Sequence, residues 1–77
     1  MINRGVEWLD AHDPNWRQKI NKDTLNIRIW SKCILGQVFG MYQPGCPKDL
    51  ENYGFTANTE QENQALIEEW KKVIDGV

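Results

Sequence analysis

Cys33-Ile34-Leu35-Gly36-Gln37-Val38-Phe39-Gly40 is the densest apolar run in the chain. Read at helical spacing, it sets Gly36 and Gly40 four residues apart, on one face. A glycine face lets another backbone approach closely, and each glycine costs a helix about 1 kcal/mol against alanine. The fold must offset that cost. The run is therefore expected at the centre of the core, as a helix over Lys32–Phe39 packed against the C-terminal helix. Ser31 is its expected N-cap, and Gly40 ends it in a left-handed conformation.

The C-terminal helix carries the strongest pattern. Thr59 and Glu62 form a capping box, Thr-x-x-Glu. Leu66, Ile67, Trp70, Val73, Ile74 and Val77 make one apolar stripe, and Gly76 stands where a C-terminal cap glycine belongs. Towards the N-terminus, Ile2, Val6 and Leu9 recur at helical spacing, so a first helix is expected over Arg4–His12 with Asn3 as its cap. Asp13-Pro14 marks a boundary. Asp13 caps, and Pro14 opens, a short helix ending at Ile20.

Asn21 to Thr24 reads as a turn. Leu25, Ile27 and Ile29 then alternate with Asn26 and Arg28, which predicts an extended segment with one face buried. Met41 to Pro47 reads as a loop. A short helical turn follows over Lys48–Tyr53, closed by Gly54, and Phe55 returns to the core. The fold expected is all-α: one compact domain over 1–77 of four or five short helices, with a short extended segment at 25–29. A 77-residue core is thin and leans on its largest side chains, Trp8, Trp16, Trp30 and Trp70. Trp8, Trp16 and Trp70 should fill the gaps between helices.

Net charge is -2, but it is unevenly distributed. Residues 1–48 hold seven Lys/Arg against four acids, and residues 49–77 hold two against seven. The overall acidity disfavours a dedicated duplex-DNA binder. No run reaches the ~20 apolar residues that cross a bilayer, and Met1-Ile2-Asn3-Arg4, leading straight into polar sequence, does not read as a signal peptide. A cytoplasmic protein is expected, with Cys33 and Cys46 reduced.

The residues that carry chemistry are few. His12 is the only histidine, and its spacing to Asp10 and Asp13 is not that of a catalytic triad. It is expected to close the first helix, where its partial positive charge is favourable. His12, Cys33 and Cys46 lack the paired spacing of structural zinc. Glu60, Glu62, Glu68 and Glu69 are expected to face water, and Gly36-x-x-x-Gly40 lacks the Gly-Lys-Ser/Thr ending of a phosphate loop. These readings predict no catalytic residues, cofactor or metal.

Two binding readings remain. Arg28 and Trp30 fall on the polar phase of the alternating segment, with Lys32, Met41 and Tyr42 close behind. Trp, Tyr and Arg dominate interface hot spots, so Arg28, Trp30, Lys32, Met41 and Tyr42 are the candidate partner-binding residues. Trp30 could equally be a core residue. The alternative is a small DNA-binding transcriptional regulator using the basic N-terminal half: Trp16, Arg17, Lys19, Lys22, Arg28, Trp30 and Lys32. Asp13-Pro14, however, lacks the glycine-bearing turn usual in a helix-turn-helix. Seven acids in the C-terminal half are too few and too interrupted for a nucleic-acid mimic. A homodimer through pairing of the 25–29 edge is open.

Trp8-Leu9-Asp10, Pro14-x-Trp16-Arg17, Asp23-Thr24-Leu25, the block Cys33-x-Leu35-Gly36-Gln37-x-Phe39-Gly40 and Tyr53-Gly54-Phe55 together resemble a group of small proteins. These are encoded by actinobacteria and by the phages that infect them, and no activity is established for the group. The resemblance covers most of the chain. It implies a phage-borne accessory protein in the host cytoplasm, one that acts on a host protein during takeover. The expected function is thus a non-enzymatic protein-interaction module.

Overall fold

The computed structural model describes residues 2–40 and 49–76. The predicted Met41–Pro47 loop, the contact residues Met41 and Tyr42, Cys46 and the last stripe position Val77 lie outside the described residues.

Thr59 opens the longest helix, α4 (Glu60–Asp75), by accepting the Glu62 N–H on its hydroxyl at 3.1 Å. The capping box is modified: Glu62 returns its carboxylate to the Asn58 N–H at 2.9 Å, one residue earlier than the reciprocal bond requires. Gly76 closes α4 with φ 76°, as its position predicts. The other helices are α1 (Asn3–His12), α2 (Trp16–Lys19) and α3 (Ile34–Phe39), with a 3-10 turn at Glu51–Tyr53. No strand occurs among the described residues, and the fold is all-α.

Several boundaries differ from expectation. Ile2, not Asn3, occupies the α1 N-cap, without a side-chain bond, because the helix already includes Asn3. α2 begins at Trp16 rather than Pro14. The Asp13 carboxylate takes the Asn15 N–H at 3.1 Å and its carbonyl takes the Trp16 N–H at 3.0 Å, so Pro14 and Asn15 form a turn. The helical turn after the loop spans only Glu51–Tyr53, and Gly54 ends it with φ 78°. Ser31 does not cap α3. Cys33 does: its Sγ accepts the Gly36 N–H at 3.4 Å, and the helix starts at Ile34.

The extended segment is absent. Residues 25–33 run through two consecutive turns instead. Asn26 causes this: its Oδ1 takes the Arg28 N–H at 3.0 Å and its carbonyl takes the Ile29 N–H at 3.2 Å. An asparagine that captures its own backbone two residues on competes with extended structure. Leu25 and Ile27 are buried, but Ile29 is turned outward. The strand edge proposed for homodimer pairing does not exist.

α3 is central, with Ile34 and Leu35 fully buried. Its close backbone neighbour is α2, however, and α1 pairs with the 3-10 turn. The predicted face-to-face pairing of α3 with α4 does not occur; α4 is tied instead to α2 and to Phe55 through Trp70. Trp70 of α4 stacks on Phe55 with ring centroids 5.8 Å apart and meets Trp16 edge-on at 5.6 Å. Trp8, half-buried, contacts Phe55 and Phe39 edge-on. Each such pair adds about 0.5–1.5 kcal/mol to area burial. Both fully buried indoles are satisfied: Trp70 Nε1 donates to the Gly54 carbonyl and Trp16 Nε1 to Asp10 Oδ1, each at 2.8 Å.

One further residue, Gly5, permits this packing. A Cβ on Gly5 would fall 2.2 Å from the Tyr53 carbonyl, so only glycine lets α1 lie against the 3-10 turn. Glu69, expected to face water, is half-buried instead, with one carboxylate oxygen buried and unpartnered among the described residues.

Candidate interaction surface

The turn 26–33 is held from both ends and from beneath. The Asn26 N–H donates to the Lys32 carbonyl at 3.1 Å, and the Lys32 and Cys33 N–H groups converge on the Ile29 carbonyl at 2.9 Å. From beneath, the fully buried Asn63 of α4 accepts the Ile27 N–H on Oδ1 at 2.9 Å and donates through Nδ2 to Glu60 at 3.1 Å. The Cys33 thiol donates to the Trp30 carbonyl at 3.3 Å. The peptide carrying that carbonyl lies against Gly36, the glycine that the sequence assigned to helix packing.

On this scaffold the side chains point outward. Trp30 is 67% exposed and Ile29 40%, the two exposed large apolar residues among those described. Arg28 and Lys32 flank them and are also exposed. The Arg28 guanidinium reaches Glu60 Oε2 at 3.6 Å. Side-chain amides of Gln64, then Asn63, hold the Glu60 carboxyl below its usual range, and Arg28 adds a smaller contribution. The structure thus brings together three of the five predicted contact residues, Arg28, Trp30 and Lys32. It resolves the standing of Trp30: this indole is at the surface.

Asn63 was missed by sequence reading. The available signal was its position three and four residues before Leu66 and Ile67, which puts a polar side chain on the apolar stripe.

The basic residues of the alternative reading are placed differently. Trp16 is fully buried, and Arg17 lies over its ring at 4.5 Å while pairing with Asp10 at 3.0 Å. Lys19 pairs with Asp13 at 2.5 Å, and Lys22 pairs with Asp75 near the end of α4. These bonds commit Asp10 and Asp13 away from His12. The His12 ring stacks on Trp8 at 4.1 Å, with Nδ1 2.8 Å from the Trp8 carbonyl. The Asp10 carboxyl is held below its usual range by the Trp16 indole first and by Arg17 second.

An open groove of about 630 Å3 lies between the 3-10 turn and the start of α4, lined by Glu51, Asn52, Thr56, Thr59, Glu62 and Leu66. Among the described residues no group of three His, Cys, Asp or Glu is placed to hold a metal ion, and no helix is long and apolar enough to cross a membrane. No protein-family model, curated protein or solved structure matches this chain.

Proposed function

We propose that this protein is a non-enzymatic interaction module that binds another protein through the Arg28–Lys32 turn, with Trp30 as its anchor. The observation that carries this reading is an indole two-thirds exposed on a turn that seven main-chain and side-chain bonds hold in place. Leaving Trp and Ile in water forgoes apolar burial, and a rigid aromatic anchor loses little conformational freedom on binding. We further propose a phage-borne accessory factor whose partner is a host protein in the host cytoplasm, a reading that rests on the sequence motifs alone.

The DNA-binding alternative is less favoured. Arg17, Lys19 and Lys22 are each paired to a carboxylate of the chain itself, so phosphate contacts would have to break those pairs. α2 spans four residues, too short to serve as a recognition helix.

The test is capture of partners from an actinobacterial lysate by the tagged full chain, with and without nuclease, beside Trp30→Ala. A stoichiometric protein that survives nuclease and is lost with Trp30→Ala is the expected result. Recovery that depends on nucleic acid, or that ignores Trp30, overturns the proposal.

A further inference from the structure

Resting on that reading, we infer that the partner surface receiving Trp30 is an acidic protein segment, in which apolar side chains are bordered by carboxylates. Arg28, Ile29, Trp30 and Lys32 ride on one hydrogen-bonded platform, closed by the Asn26 N–H to the Lys32 carbonyl. Two cationic residues therefore flank Trp30 on a turn whose backbone is held in place. A partner that buries Trp30 must also meet both charges, and an unmatched charge at an interface rim is unfavourable.

The state of those two cations sets them apart from their neighbours. Arg17, Lys19 and Lys22 are each spent on a carboxylate of the chain. Lys32 makes no ion pair among the described residues, and Arg28 makes a loose one, at 3.6 Å with both side chains about half-exposed. Glu60 retains the Asn63 and Gln64 amides when Arg28 leaves it. Arg28 can thus exchange Glu60 for a partner's carboxylate without stripping Glu60 of donors.

Other anionic surfaces fit less well. Anionic membrane and nucleic acid both recruit through larger clusters of cations than two, and a chain of net charge -2 with seven acids in residues 49–77 is repelled by both. A discrete protein segment can offer carboxylates at two points without that long-range repulsion.

The experiment selects displayed random dodecapeptides on the full-length protein, with counter-selection on Trp30→Ala whose helicity is checked by circular dichroism. The expected consensus sets an aromatic or aliphatic residue beside two or more Asp or Glu. Its binding, read by fluorescence polarisation, should weaken about tenfold or more between 50 and 500 mM salt. A similar loss is expected when the peptide's acids become Asn or Gln, or when the protein carries Arg28→Gln with Lys32→Glu. A Trp30-dependent consensus without acids, indifferent to salt, overturns the acidic assignment and leaves the interaction reading standing. Failure to select any Trp30-dependent peptide overturns it too, and Trp30-dependent capture from lysate then shows whether the broader reading survives. Trp30-dependent binding to phosphatidylglycerol vesicles, or a dimer in sedimentation that Trp30→Ala dissolves, also overturns it.

Discussion

The carbonyl oxygen of Trp30 stands where a side chain on residue 36 would have to be: a Cβ built on Gly36 falls 1.8 Å from it. The most exposed large apolar residue among those described and the buried glycine of the central run are thus two sides of one contact. Gly36→Ala must push the 30–31 peptide off α3. The expected loss is about 1–3 kcal/mol, in the range of core overpacking. Gly40→Ala is the control. Gly40 has φ 80°, and among the described residues nothing lies within 4 Å of an added Cβ, so alanine there meets mainly backbone strain, about 1 kcal/mol. In denaturant titrations Gly36→Ala should fall well below Gly40→Ala. Equal effects would mean that the turn does not rest on α3.

Asn63 holds the same turn from the side of α4. Replacing it with leucine keeps the volume close but removes the acceptor for the Ile27 N–H, leaving a buried donor unpaired. The cost of such a group is about 1–3 kcal/mol. Hydrogen exchange should localise the effect: the Ile27 amide loses protection well before the amides of α1. Uniform loss of protection across the chain would show that Asn63 supports the whole core rather than this turn.

The parts of the fold that local chemistry dictates were legible in the sequence. Thr59, the stripe from Leu66 to Ile74 and Gly76 defined α4, because a cap, a period and a left-handed glycine all agree there. The need for a close backbone approach at Gly36 was legible as well, although its partner is the Trp30–Ser31 peptide and not a second helix. The segment 25–29 misled because alternation records only which residues are buried. Leu25 and Ile27 are buried by turns whose hydrogen bonds run to Asn26 and Asn63 side chains, one of them 36 residues away. Gly5 gave no warning either, since its close contact with the Tyr53 carbonyl arises only after folding. Arg28, Trp30 and Lys32 of the candidate surface were legible in the sequence, Arg28 and Trp30 by phase, although the phase came from turns and not from a strand; Ile29, assigned to the buried phase, was not.

Acid should weaken the fold partly through Asp10. Its carboxylate accepts from Trp16 Nε1 and Arg17, bonds that lower its pKa below the ordinary 3.8. A carboxyl lowered in this way stabilises the fold fully above its unfolded pKa and ceases to do so as pH falls through its folded one. Asp10→Asn should therefore lower Tm at pH 7, and the gap to wild type should close below about pH 3.8. The Asp10 side chain is half-exposed, so screening keeps the effect below about 1 kcal/mol. A gap that stays constant down to pH 2 would assign the effect to geometry rather than charge.

Four tryptophans in a short chain invite the assumption that all serve the core, and Trp30 and Trp70 separate the two roles. Trp70 is fully buried, stacks on Phe55, meets Trp16 edge-on and satisfies the Gly54 carbonyl. Trp70→Ala should cost about 3–5 kcal/mol, enough to unfold many small domains, and Trp70→Phe should recover part of that loss. Trp30 keeps two-thirds of its surface in solvent, and its carbonyl rather than its ring is what lies against Gly36. Trp30→Ala should leave Tm within about 0.5 kcal/mol of wild type, the range of surface substitutions. Iodide should quench Trp30 emission and leave Trp16 and Trp70 nearly untouched, so the quenchable fraction should fall in Trp30→Ala to what half-buried Trp8 contributes. If Trp30→Ala destabilises the fold as Trp70→Ala does, the indole is structural, and its exposure is no longer a reason to place an interface there.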